Sequence, residues 1–300
     1  MTAGTTNDHR PQMRALVTGG AGFIGSHLVD ALLARGDDVL VLDDFSTGSE
    51  SNLPKHERLL VAHGDVTDIG LPLGQGSFHT IFHLAAQVSV TQSEKRPIED
   101  AQANVLGTLA ALDAAHKHGV QRFIFVSTGG AIYGDGGPFT ESDTPKPTSI
   151  YGQGKLAAEG YVDLYRRKGL STCTLRLANV YGPRQSNTGE AGVIAIFKSL
   201  QNHHPMIFGD GSQTRDFIHV SDVVSALLKA ESSDTSGPLN IGTGKQTSIL
   251  ELTQMIDTPN PIFKAKREGE VQHSSLDSSL AKHTIGWTPS ITLADGLSSF

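Results

Sequence analysis

Tyr151 and Lys155 stand four residues apart in the run Tyr151-Gly-Gln-Gly-Lys155. On a helix, that spacing puts a phenol and an ammonium on one face. A free tyrosine has a pKa near ~10 and is a poor base at neutral pH. A neighbouring cation favours the phenolate. Such a pair can take a proton from a hydroxyl while hydride leaves the same carbon for an acceptor. A Tyr-x-x-x-Lys pair arises by chance in many helices, so its meaning depends on what accompanies it.

What accompanies it is Thr18-Gly19-Gly20-Ala21-Gly22-Phe23-Ile24-Gly25, set between a short apolar run and a segment with helical apolar spacing. Gly19 allows a tight turn, Gly22 lets a pyrophosphate approach the backbone, and Gly25 lets the helix pack closely. The free N–H groups and positive end of that helix then face the phosphates, with Phe23 and Ile24 in the contacting turn. Asp43 ends the second apolar run, 18 residues after Gly25. A carboxylate there accepts hydrogen bonds from ribose hydroxyls and repels a 2′-phosphate, so the expected cofactor is NAD, not NADP. Asp44 is placed to share that role. Asp65 and Val66 follow the third run and are candidates for the adenine, although Asp65 reads equally as a helix cap. Leu84, Ala85, Ala86 and Gln87 close the fourth run with small residues that let the chain pass near a cofactor.

Strand-like runs at 14–18, 39–42, 58–63, 80–85, 122–126 and 172–177 alternate with helical patterns, among them 22–35, Pro97–His118 and Ser149–Arg167. The runs are apolar without period-two alternation, as in a parallel sheet covered on both faces. The fold class expected is α/β: a doubly wound parallel (Rossmann) sheet over residues 1–177, with a smaller C-terminal substrate-binding lobe over 178–300. A stretch near 213–235 is expected to return to the large domain. The rhythm breaks after Leu177, where Gly, Pro and polar residues accumulate. With 38% hydrophobic and 18% charged residues the chain reads as globular. A net charge of -7 without long runs of one sign argues against nucleic acid as the main partner. No apolar stretch is long enough for a membrane span, and the polar Met1–Gln12 reads as a disordered tail and not a secretory signal. The expectation is a soluble, cytoplasmic enzyme.

Taken together, the segments Thr18–His27, Asp43–Phe45, Leu84–Gln87, Asn104, Ser127–Gly134, Tyr151/Lys155, Asn179–Gln185, Gly209–Val220 and Asn240–Gly244 resemble the extended short-chain dehydrogenase/reductases. Within that NAD-dependent epimerase/dehydratase superfamily the pattern is similar to the UDP-glucose (UDP-galactose) 4-epimerases, from Arg14 to about Gly296. The resemblance implies that Tyr151 removes the proton of a sugar 4-hydroxyl while tightly bound NAD takes hydride from C4. The transient 4-keto sugar then turns over and is reduced on its other face. It implies Asn104 and Ser127 at the cofactor, and a UDP-sugar held by Asn179, by Gly192 and Val193 at the uracil, and by Arg215 and Arg267 at the pyrophosphate, where guanidinium forks suit phosphate oxygens. It also implies a homodimer joined through Pro97–His118 and Ser149–Arg167; burial of those helices within one subunit is the alternative.

Two departures from the family pattern stand out. The position of the usual catalytic Ser or Thr, counted from Ile132-Tyr133-Gly134, is Gly129, which leaves Thr128 as the substitute and Ser127 as the next hydroxyl. The bulky Tyr that limits room at C2 of the sugar in many galactose epimerases is Ser274 here, so UDP-GlcNAc and UDP-GalNAc are expected as additional substrates. No cation in Ser127–Gly134 suits a glucuronate, which separates the chain from UDP-glucuronate epimerases and decarboxylases. The intact Tyr151/Lys155 pair separates it from a non-catalytic NAD sensor. Cys173, in an apolar run, reads as a structural thiol. His116, His118, His203 and His204 lack companion ligands at metal spacing.

Overall fold

Short apolar runs that stop at glycine or a polar residue become the strands of one central sheet. The structure, a computed structural model, describes residues 13–74, 76–187, 192–200, 203–266 and 271–299. Met1–Gln12, expected as a tail, lies outside the described residues, as does Arg267. The strands are β1 (Arg14–Thr18), β2 (Asp38–Asp43), β3 (Leu59–His63), β4 (Thr80–His83), β5 (Arg122–Thr128), β6 (Ser171–Leu177), β7 (Asn179–Tyr181), β8 (Met206–Phe208), β9 (Thr214–Arg215), β10 (Phe217–His219), β11 (Gly237–Ile241), β12 (Thr247–Ser248) and β13 (Ile262–Lys264). The helices are α1 (Phe23–Arg35), α2 (Gly70–Leu73), α3 (Val90–Lys95), α4 (Pro97–Ala101), α5 (Gly107–Lys117), α6 (Gly129–Ile132), α7 (Ile150–Arg167), α8 (Val193–Ser199), α9 (Val220–Glu231), α10 (Ile249–Met255), α11 (Ser279–Ile285) and α12 (Leu293–Ser298).

The seven-stranded sheet runs β3-β2-β1-β4-β5-β6-β11, with every pairing parallel. Successive side chains go to opposite faces. Ala15 and Val17 of β1 join the layer made with α1 and α9, and Leu16 joins the layer made with α5 and α7. Cys173 is fully buried in the first layer, and burial pushes its thiol up to about 11. Helix α1 ends at Gly36, whose φ of 95° lets its N–H close on the carbonyls of Leu32 and Leu33. Smaller sheets (β7 with β10, β9 with β12, β8 with β13) and α8, α10 and α12 build a second core around Phe197, Phe217 and Leu252.

Two features differ from the sequence reading. Pro97–His118 is not one regular helix: a π turn at Gln102–Leu106 separates α4 from α5. No proline or glycine inside Gln102–Leu106 marks the change, so nothing in the apolar spacing signals it. The seventh strand, β11, was not read as a strand. Only Leu239 and Ile241 carry its apolar signal, and Pro238 argues against a central strand. As the sheet's edge, β11 tolerates the missing N–H.

Candidate active site

The carboxyl ends of β1 and β4 meet at the glycine turn. Gly19 has a φ of 69°, and a Cβ there would stand 2.8 Å from the Ala85 nitrogen. A Cβ on Gly25 would run into the Gly19 carbonyl oxygen. Helix α1 starts from an extended Gly22, with no side chain capping its first N–H groups. A thirteen-residue helix opening on a bare glycine cap fits a dinucleotide pyrophosphate. The buried Asp43 fastens this turn: its Oδ2 accepts from Ala21 N at 2.9 Å and its Oδ1 from Phe45 N at 2.9 Å. Asp44 is exposed and accepts from Ser46 N and Oγ. Asp65 forms the cap: its Oδ1 accepts from Thr67 N at 2.7 Å and begins the 3-10 turn that contains Val66. Leu84, Ala85, Ala86 and Gln87 follow β4 half-buried beside the glycine turn, and the buried Asn104 donates to the Gln87 carbonyl at 2.9 Å.

Helix α7 carries the phenol and the ammonium. Ser149 caps it, Ser93 Oγ accepts from Tyr151 N at 3.1 Å, and Glu94 accepts from Ile150 N at 2.9 Å. Gly152 lies so close to the Ala131 carbonyl that no Cβ fits. Thr128, the last residue of β5, acts through its hydroxyl on the Tyr151 phenol. That influence favours the phenolate, but burial and then the charge of Asp100 outweigh it and push Tyr151 up to about 12. In the protein by itself, Lys155 alone therefore does not make Tyr151 a base. The Lys155 ammonium lies 4.3 Å above the Phe125 ring, and burial brings it down to about 8 against the opposing fields of Glu159 and Asp100.

Asn179 and Ser274 come to the same turn. Asn179 Oδ1 is 3.6 Å and Ser274 Oγ 3.9 Å from where a Cβ on Gly130 would sit. The Ser274 segment is held to the Gly134–Phe139 loop: Asp135 accepts from Gln272 N and His273 N at 2.7 Å, and Phe139 N donates to the Ser275 carbonyl at 3.0 Å. The missing hydroxyl at Gly129 now has a steric cause. The buried Leu276 lies 2.5 Å from where a Cβ at that position would sit, so a side chain there would have to displace it. Arg215 is half-buried on β9 and donates to the Thr214 carbonyl. Gly192 and Val193 start α8.

A family model described as NAD dependent epimerase/dehydratase family matches residues 15–242. The chain belongs to the NAD dependent epimerase/dehydratase family. It is 43% identical to the UDP-glucose 4-epimerase of Mycolicibacterium smegmatis, over 95% of this chain and 96% of that one. It is also similar to the crystal structure of a UDP-glucose 4-epimerase with UDP-glucose from Thermotoga maritima, with a TM-score of 0.91, 41% identity and coverage of 95% and 96%. The Thermus thermophilus UDP-glucose 4-epimerase in complex with NAD matches with a TM-score of 0.87, 36% identity and coverage of 95% and 96%.

Several side chains around this epimerase/dehydratase site escaped the sequence reading. Ser127, expected at the cofactor, turns its hydroxyl to Glu159 Oε1 at 2.6 Å. Glu159 also accepts three bonds from Arg176, whose Nη1 donates to the Tyr133 hydroxyl at 2.6 Å. That hydroxyl donates to Asn240 Oδ1 at 3.0 Å. The chain of bonds thus joins α7 to β5, β6 and β11 beneath the site. Its one sequence signal was Glu159, four residues beyond Lys155 on the same helical face. Asp216 accepts from Thr243, Gly244 and Leu276 and binds three distant segments together. His83 is fully buried between Thr18 and Thr108, at 2.8 and 3.1 Å. Thr108 gives its own proton to the Asn104 carbonyl, so His83 Nε2 donates to Thr108 and Nδ1 accepts from Thr18. Burial, and next the charge of Lys155, bring His83 down to about 3, which keeps it neutral.

Proposed function

We propose that this chain inverts C4 of UDP-linked hexoses, interconverting UDP-glucose and UDP-galactose through a transient 4-keto sugar, with NAD as its resident cofactor. The observation that carries the reading is the Tyr151–Lys155 pair on one helix, with the buried Lys155 ammonium over the Phe125 ring of β5, beside the turn approached by Asn179 and Ser274. Gly19, Gly22, Phe23 and Ile24 would receive the NAD pyrophosphate, Asp43 and Asp44 the ribose, and the half-buried 84–87 segment, with Asn104, the remainder. NAD supplies a reversible hydride acceptor when bound. Tyr151 takes the 4-hydroxyl proton and returns it to the keto oxygen, Thr128 orients the phenol, and Lys155 keeps positive charge beside it. A tyrosine that burial holds near 12 needs additional positive charge to ionise, which ties proton removal to cofactor occupancy. Arg215 and Arg267 would grip the substrate pyrophosphate, with Gly192 and Val193 at the uracil.

Ser274 in place of a bulky residue leaves room for an N-acetyl group, so UDP-GlcNAc and UDP-GalNAc are substrates too. The working unit is a cytoplasmic homodimer. Ile98, Gln102 and Leu106 on one helical stripe, and Ala157, Tyr161 and Leu164 on α7, present an exposed, largely apolar face that a second copy would cover. Incubation of the purified chain with a panel of nucleotide sugars, without added NAD, tests the reading. Net C4 inversion is expected. Carbon dioxide release from UDP-glucuronate, or bound NAD with no conversion, would overturn it.

A further inference from the structure

Asp100 is buried, with a relative exposure of 1%, yet neither the sequence motifs nor the proposed chemistry uses it. Its Oδ1 accepts from Gln87 Nε2 and Asn104 Nδ2, both at 2.9 Å. Its Oδ2 has no hydrogen-bond partner among the described residues. That oxygen leans on helix α7 at Gly154, where a Cβ would stand only 2.9 Å away. Gly154 lies between Tyr151 and Lys155, so a carboxylate oxygen is pressed against the very turn that joins the pair. A glycine inside a helix costs about 1 kcal/mol relative to alanine. Here it makes the approach of Asp100 possible.

The charges around Lys155 are few. Glu159, one turn on, is already paired with Arg176 and bonded by Ser127. His83, from β4, is neutral, and Phe125, from β5, offers a ring face. Tyr151 lies one turn back on the same helix. Glu94, from α3, faces Asp100 and is bonded by the backbone of Ile150. The partners of Asp100 Oδ1 are neutral amides. Burial pushes the Asp100 carboxyl up, while Gln87, Asn104 and the charge of Lys155 favour its ionised form, so Lys155 is the cation whose field reaches it.

We propose that Asp100 is a positioning residue for the Tyr151–Lys155 pair: its Oδ2, held over Gly154 by Gln87 and Asn104, is the fixed negative charge that keeps the Lys155 ammonium in place. Because Gln87 and Asn104 belong to the segments assigned to the cofactor, the same carboxylate connects the cofactor wall to the catalytic helix. The inference rests on the assignment of Tyr151 and Lys155 as the reacting pair. Asp100 raises the affinity of both Tyr151 and Lys155 for protons, so removing its charge moves both in one direction.

The test is Asp100→Asn, which keeps the side chain's shape. Lysine side-chain NMR of labelled protein, with the Lys155→Arg spectrum assigning the signal, reads the Lys155 titration without reference to turnover. The Lys155 midpoint is expected to fall by about one pH unit, and both limbs of the kcat/KM profile for UDP-galactose to move acidward by a similar amount. A merely structural role lowers activity at every pH and leaves the midpoint in place. Gly154→Ala, which pushes the carboxylate off the helix, is the second variant; a smaller shift in the same sense is expected. A Lys155 midpoint within about 0.3 unit of the parent's in both variants overturns the proposal. If the parent converts no nucleotide sugar while the NMR midpoint still shifts, the epimerase reading fails and the Asp100–Lys155 coupling stands.

Discussion

Replacing Glu159 with alanine should destabilise the fold by about 3–5 kcal/mol, because the change strands a buried guanidinium. The Arg176 and Glu159 side chains are only 7% and 9% exposed, with their closest approach at 2.6 Å. Arg176 Nε also donates to both carboxylate oxygens at 3.1 and 3.2 Å, and Ser127 adds a bond at 2.6 Å. Without Glu159, Arg176 keeps the Tyr133 hydroxyl but no anion, and the Ser127 hydroxyl loses its acceptor. The lost hydroxyl bond alone is worth about 1 kcal/mol. Against a total stability of roughly 5–15 kcal/mol the loss is large. At about 2–4 °C per kcal/mol for a chain approaching this size, Tm should fall by about 6–20 °C. The double variant Glu159→Leu/Arg176→Met replaces the pair by apolar groups and should lie within about 1–2 kcal/mol of the parent. Urea unfolding of the parent, both single variants and the double variant closes the cycle, with a coupling of at least about 2 kcal/mol expected. A Glu159→Ala loss under about 1 kcal/mol would refute the reasoning, since it would mean that water reaches Arg176.

Three further outcomes follow from the geometry. The neutral His83 is held near 3, below its ordinary 6.5, so its contribution is complete above pH 6.5 and is lost as pH falls towards 3. Acid unfolding should therefore steepen by of order 4–5 kcal/mol across that window, and His83→Asn should flatten the urea-midpoint profile. Gly129→Ala forces a methyl into Leu276; a loss of about 1–3 kcal/mol in urea unfolding is expected, partly restored by Leu276→Val, and a neutral result would show that Leu276 moves aside freely. Ser274→Tyr should reduce UDP-GlcNAc turnover at least about ten-fold relative to UDP-glucose, and equal losses on both sugars would contradict a role in sugar size.

The sequence disclosed what local pattern encodes. The glycine turn, the strand–helix alternation and the four-residue spacing of Tyr151 and Lys155 each lie within one segment, where periodicity and backbone sterics are legible. The strands from β1 to β6 fell where apolar runs placed them to within a few residues. Contacts between segments were not readable. Nothing near Gly129 announces Leu276, and nothing near Asp100 announces Gly154. The burial of Tyr151 is hidden for the same reason: spacing shows a nearby lysine, while desolvation, the larger effect in the protein alone, depends on the whole fold. The π turn at Asn104 hid because its residues suit a regular helix equally well.

The late arrival of β11 bears on how the chain is made. Strand β6 ends at Leu177, but the strand that covers its outer side spans Gly237–Ile241. While the intervening sixty or so residues are being synthesised, at roughly 5–20 residues per second, the nascent sheet presents β6 as a bare row of N–H and C=O groups for several seconds. Chains cut short before Ile241 keep that row permanently. They should accumulate as insoluble material, whereas chains ending just beyond it gain a proline-bearing border that discourages a further strand from adding.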